Sequence, residues 1–279
     1  MRRLNYVVSA ALVWVMASVR PGELASQSIW LEPHGDRVAY LEILKPSFED
    51  GDDIAFLTSA WYLSTRVALS DNIAVVGEVP FAYAKIDSEF TEESQSGTTI
   101  GNIYAGLELT GGASKFFGEF GVRVPLASDE GDGGLASEAG FLADYVDRAE
   151  AFLPNVLSIH AAVNYRLRQE NGVGVRFRLA PLLWIDTESD GAEVELWTLY
   201  SAQVWYNGEM VAVGGGFSGR ALLTEEDLDF GERSFHQICL AANLILGRFQ
   251  PGVQLRVPVD KDYSDIVNTV VGLSVGYRW

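Results

Sequence analysis

From residue 37 onward the chain alternates apolar and polar positions with a period of two, the period of a β-strand. In the stretch NIAVVGEVPFAYA, Ile73, Val75, Val79, Phe81 and Tyr83 point one way, while Glu78 and a set of small residues point the other. Leu157, Ile159, Ala161, Val163, Tyr165 and Leu167 alternate with Ser158, His160, Ala162, Asn164, Arg166 and Arg168. The pattern predicts twelve strands, near 37–46, 54–68, 73–85, 99–110, 115–125, 154–168, 172–185, 193–206, 209–220, 233–246, 248–258 and 266–279. The first is the weakest, because Glu42 and Lys45 interrupt it.

The connections alternate as well. Short turns at Ser70–Asn72, Gly111–Ser114, Gln169–Asn171, Asn207–Gly208 and Gly247 are interleaved with longer segments at 47–53, 86–98, 126–153, 187–192, 221–232 and 259–265. Asn207–Gly208 between alternating runs predicts a type I′ hairpin. A soluble β-sandwich has no reason to alternate its connections so regularly, whereas a membrane-spanning barrel keeps short turns on one side and long loops on the other. The strands also exceed the five or six residues typical of soluble sheets. The chain ends on Val271, Leu273, Val275, Tyr277 and Trp279, all on one face. This terminal strand resembles the signal by which outer-membrane barrels engage the barrel-assembly machinery. The expected fold is therefore all-β: an antiparallel up-and-down transmembrane barrel of about 12 strands, with the outer membrane as its location and outer-membrane lipid and lipopolysaccharide as its surroundings.

The beginning of the chain fits that destination. Arg2 and Arg3 precede an apolar run from Tyr6 to Met16, and small residues follow at Ala17, Ala25 and Ser26. Residues 1–26 read as a secretory signal, leaving 27–279 as one barrel domain. The formal charge of −18 excludes a nucleic-acid footprint, which requires a basic face. Cys239 is the single cysteine, so neither a disulfide nor a multi-cysteine metal site is available, and packing is its expected role. No metal-ligand spacing or phosphate-binding glycine loop occurs, and no cofactor is expected.

One segment departs from the strand period. In SEAGFLADYVDRAE, Leu142, Tyr145, Val146 and Ala149 fall on one helical face, with Ser137 as candidate N-cap. This helix sits in the longest loop and either rests on the surface or folds into the barrel as a constriction.

With the large apolar residues facing lipid, the opposite face lines the lumen. It carries Arg66, Arg123, Arg166, Arg176, Arg178 and Arg256, facing Glu78, Glu108, Glu119, Glu195 and His160. Acidic residues otherwise concentrate in the loops. Either the lumenal charges pair across strands and fill a narrow barrel, or the arginine excess lines a water-filled passage for anionic or aromatic solutes. Trp184, Trp197 and Trp205 on the same face offer stacking surfaces. A channel for small organic solutes and a non-conducting envelope barrel are both compatible with this pattern. A lipid hydrolase is the third reading, with His236 near Ser234 as its candidate and His34 and His160 less suited, but no catalytic constellation emerges and no enzyme is expected.

Four stretches carry a resemblance to a known family: LSDNIAVVGEVPFAYAK (69–85), GTTIGNIYAGLEL (97–109), FFGEFGVRVPLASDEGD (116–132) and the terminal VVGLSVGYRW. In this order they resemble the transporter-type outer-membrane barrels associated with the meta-pathway of phenol degradation. The chain departs from that pattern at Asn102, where the family has aspartate, and after Pro125, where threonine and glycine are lacking. The resemblance implies an outer-membrane barrel for uptake of small hydrophobic or aromatic compounds.

Overall fold

The computed structural model describes residues 29–30, 37–48, 58–87, 94–110, 115–169, 172–188, 193–225 and 227–279. The expected signal segment and His34 lie outside these. The strands are β1 (Arg37–Phe48), β2 (Ser59–Ser70), β3 (Ile73–Asp87), β4 (Ser94–Ile100), β5 (Ile103–Thr110), β6 (Phe116–Val124), β7 (Val156–Arg168), β8 (Val173–Asp186), β9 (Val194–Asn207), β10 (Val211–Leu222), β11 (Ser234–Leu244), β12 (Phe249–Pro258) and β13 (Val267–Arg278). Helices α1 (Gly131–Ala143) and α2 (Tyr145–Arg148), then a 3-10 turn (Ala149–Ala151), lie between β6 and β7, and α3 (Lys261–Ser264) precedes β13.

Every strand pairs antiparallel with its neighbours, and β1 pairs with β13, so the sheet closes on itself. β4 and β5 are two halves of one crossing, both on β3, interrupted at Gly101–Asn102, which makes this a closed barrel of twelve crossings. β5 continues the wall to β6, whereas β4 has β3 as its one ladder partner among the described strands.

Burial alternates along the strands, as a two-sided wall requires. Leu41, Leu63, Val75, Leu107, Leu179, Val204, Leu240, Val253 and Leu273 face outward and are exposed. So continuous an apolar belt is tolerable only in hydrocarbon. Near the short-turn end it is edged by outward aromatic pairs, Phe116 with Tyr165 and Phe249 with Tyr277, at ring separations of 5.0 and 5.2 Å. No helix among the described residues is long and apolar enough to cross a membrane; the strands do so. Glu42 and Lys45, which interrupt the pattern of β1, point to opposite faces, and Glu42 is buried inside.

Two local expectations are corrected. The type I′ turn at Asn207–Gly208 is not formed, because neither residue has positive φ. Asn207 remains in the ladder opposite Ala212 and donates to Gly172 O at 2.8 Å, and Gly208 N closes onto Val211 O. The helix starts six residues before Ser137, which is buried within it, and Glu130 occupies the cap position. Its first turn is Gly131, Asp132, Gly133 and Gly134, so a search for large periodic side chains starts too late.

Candidate functional site: a lumen closed by an inward loop

The segment between β6 and β7 turns into the barrel. Small side chains make this possible: Ala136, Ala139 and Ala143 of α1 belong to one buried cluster with Ala60, Ala82 and Ala84 of the wall. Two glycines on the fourth crossing permit backbone contact. A Cβ at Gly97 would lie 1.6 Å from Asp132 O, and one at Gly101 would lie 2.3 Å from Ala151 O. Phe152 fills the remaining space, edge-on to Tyr62 at 5.8 Å.

Asn102 ties both ends of the segment to the wall. Its Nδ2 donates to Glu150 O at 2.9 Å and Leu153 O at 2.6 Å, and its Oδ1 accepts from Leu126 N at 2.6 Å and Ala127 N at 2.9 Å. Its own N–H donates to Ala151 O at 2.7 Å. The break in the fourth crossing is therefore the clamp of the plug.

The polar side of the plug meets the lumenal charges. Arg148 spreads its guanidinium over three carboxylates: Asp144 at 2.5 Å, Glu42 at 2.5 Å and Glu78 at 2.9 Å. It stacks 3.6 Å above the Tyr62 ring. Arg256 binds Asp144 at 2.5 Å, with Glu42 and Asp147 each at 3.3 Å. Arg220 binds Glu150 at 3.1 Å and lies 5.0 Å from the rings of both Trp184 and Trp197. From the other direction Trp30, fully buried beside Cys239, donates Nε1 to Asp147 at 2.7 Å. Cys239 is thus a packing residue.

Each residue singled out in the sequence has a definite place. Arg66 pairs with Glu108 at 2.8 Å, Arg123 with Glu78 at 2.8 Å, and Arg178 with Glu119. Arg176 is buried and, like Arg166, lies over the Phe117 ring. His160 is buried against Ser158 at 3.0 Å and lies 3.6 Å from Glu150. Glu195 lies at the exposed start of β9 and accepts from Trp197 Nε1. Trp184 and Trp197 hold Arg220, and Trp205 donates to Gln203, so in this state these rings serve the protein's own side chains. His236 faces outward, bonded to Asp260 at 2.9 Å and to Tyr200 OH at 2.5 Å, whereas Ser234 is buried and donates to Phe230 O. Ser234 and His236 therefore do not pair with each other.

The periodicity missed Asn102, Asp144, Asp147, Arg148, Glu150 and Arg220. Lumenal arginines are paired from two sources: Arg66, Arg123 and Arg178 meet the strand carboxylates Glu108, Glu78 and Glu119, Arg220 and Arg256 meet Glu150, Asp144 and Asp147 of the loop, and the loop's own Arg148 meets Glu42, Glu78 and Asp144. Beside Tyr104, Arg123 and His160 the lumen holds a cavity of about 40 Å³, room for a few waters.

The plug responds to acid. Burial alone would raise Asp144, but Arg148 and Arg256 outweigh it and hold the carboxyl below its ordinary range. Glu150 is lowered likewise, with burial outweighed by His160 and Arg220. Burial raises Asp147 despite Arg256. A lowered carboxylate contributes stability above its unfolded pKa, and that contribution is lost as pH falls through the folded value; a raised one acts in the opposite sense. Asp144 and Glu150 are the carboxylates through which Arg148, Arg256 and Arg220 join plug and wall, so their protonation is expected to loosen the docked plug below pH about 4. Bilayer conductance across pH 3 to 7 tests this, and a trace independent of pH contradicts it.

Comparison with solved structures places this architecture. An outer membrane channel from Pseudomonas putida F1 superposes with a TM-score of 0.59 at 10% identity, covering 91% of this chain and 99% of that one. The fold is that of an outer-membrane barrel. The translocator domain of the autotransporter NalP from Neisseria meningitidis gives 0.48 at 10% identity over 100% and 98% of the two chains. LpxR from Salmonella typhimurium gives 0.47 at 11% over 87% and 100%. No family model and no curated protein matches the sequence.

Proposed function

We propose that this barrel is an outer-membrane channel for small organic solutes, held closed by the segment 126–153. The observation that carries this is the manner of closure. A covalently tethered helix, seated on alanines and clamped through one asparagine, is a removable obstruction rather than a solid core. The arginines give no anion-lined passage in the closed state, because carboxylates of the strands and of the plug pair with them. The passage is therefore read as one for weakly charged or apolar molecules, in keeping with the resemblance to the phenol-pathway barrels. No catalytic role is assigned.

The residual cavity of about 40 Å³ favours a second reading, a non-conducting envelope barrel. Planar-bilayer recording separates the two. The intact protein is expected to be silent or to flicker rarely, and a variant with residues 131–151 replaced by a short glycine–serine linker to conduct in stable steps. A folded but silent linker variant sinks the channel reading.

A further inference from the structure

A second space lies above the plug. Between α1 and the inner wall at the long-loop ends of β13, β1 and β3 there is a vestibule of about 380 Å³. This falls within the roughly 300–1,000 Å³ of small-molecule sites. Phe48, Ile86, Leu135, Leu142 and Ile266 line it, with Ala139 among them. Leu135, Ala139 and Leu142 recur at helical spacing, so one face of α1 forms one side of the space. Two carboxylates complete the lining, Glu138 on the helix and Asp265 just after α3, and both residues are exposed. Among the described residues no basic side chain lines it.

We propose that this vestibule is a binding site for small organic amines. An aromatic or alicyclic body is buried against Phe48, Leu135 and Leu142, while its ammonium sits at the rim between Glu138 and Asp265. The apolar walls supply affinity by removing ring surface from water. The carboxylates supply the sign: they attract an ammonium and repel a carboxylate, an interaction that persists at contact distance even in water. The site thus discriminates between molecules of equal size by charge. Its role as the point where solute is gathered rests on the channel reading; the binding itself does not.

The test uses the full-length barrel in nanodiscs of zwitterionic lipid at pH 7, with empty discs subtracted. The probes are 1-naphthylmethylamine and 1-naphthoate, followed by naphthyl fluorescence. The amine is expected to bind about tenfold or more tightly than the acid. The Glu138→Gln/Asp265→Asn double variant, changed at exposed positions outside the ion-pair network, is expected to bring the two affinities within about twofold. Equal binding of both probes by the native protein overturns the proposal, as does an amine preference that survives the double variant. Amine binding by the intact barrel, combined with a silent linker variant, leaves this site standing and removes the channel.

Discussion

The Arg148→Ala variant is expected to convert a quiet barrel into one that opens frequently. Three buried carboxylates, Glu42, Glu78 and Asp144, each lose a charged hydrogen bond at once. Arg123 and Arg256 still reach them, so the loss is partial at each, but removing one partner from a buried ion pair typically costs about 3–5 kcal/mol. The defect also removes the cation over Tyr62. Because Arg148 belongs to the inward segment and not to a strand, a penalty of that size falls on docking rather than on the strand ladders. An increase of at least about tenfold in open-channel probability is expected, a factor that corresponds to about 1.4 kcal/mol. Arg148→Lys retains the charge without the planar fork and should fall between the two. Unchanged conductance in a folded Arg148→Ala barrel would show that the ion pairs do not hold the plug.

Asn102→Ala is the second large effect, and it acts without changing any charge. Two carbonyls and two backbone N–H groups lose their partner together, and each buried group left unsatisfied costs about 1–3 kcal/mol. The segment 126–153 then keeps the backbone bond from position 102 to Ala151 O but loses the side-chain pins at both ends, and limited proteolysis should cleave it many times faster than in the native barrel. Asn102→Asp, the residue of the resembled family, keeps the acceptor for Leu126 and Ala127 but sets a carboxylate beside two carbonyls. It is expected to protect the segment less than asparagine does. Equal cleavage of all three proteins would refute the clamp.

These residues show where sequence reading succeeds and where it stops. The strands were legible because one face meets lipid and the other the lumen, so the period of two survives even through Glu42 and Lys45. The plug inverts the usual rule. Asp144, Asp147, Arg148 and Glu150 read as the solvated side of a surface helix, yet that side is buried because the lumen supplies matching charge. Arg220 was hidden for a different reason: it ends the run GGGFSGR, where glycines erase the alternation. Asn102 stood out as a departure from a family pattern, but its five hydrogen bonds to the loop are a matter of three-dimensional position alone.

The interrupted fourth crossing has a consequence for direction. Below Asn102 the wall is a continuous ladder; above it, β4 is laddered on one side, and the chain after Val124 is attached by side-chain bonds, Leu126 and Ala127 to Asn102 and Ser128 to Thr99. A few such bonds part more readily than a strand pair, so this seam is the line of least resistance in the wall. Releasing the clamp is therefore expected to loosen the plug and the seam in one event, so that the helix and the upper half of the fourth crossing come free together.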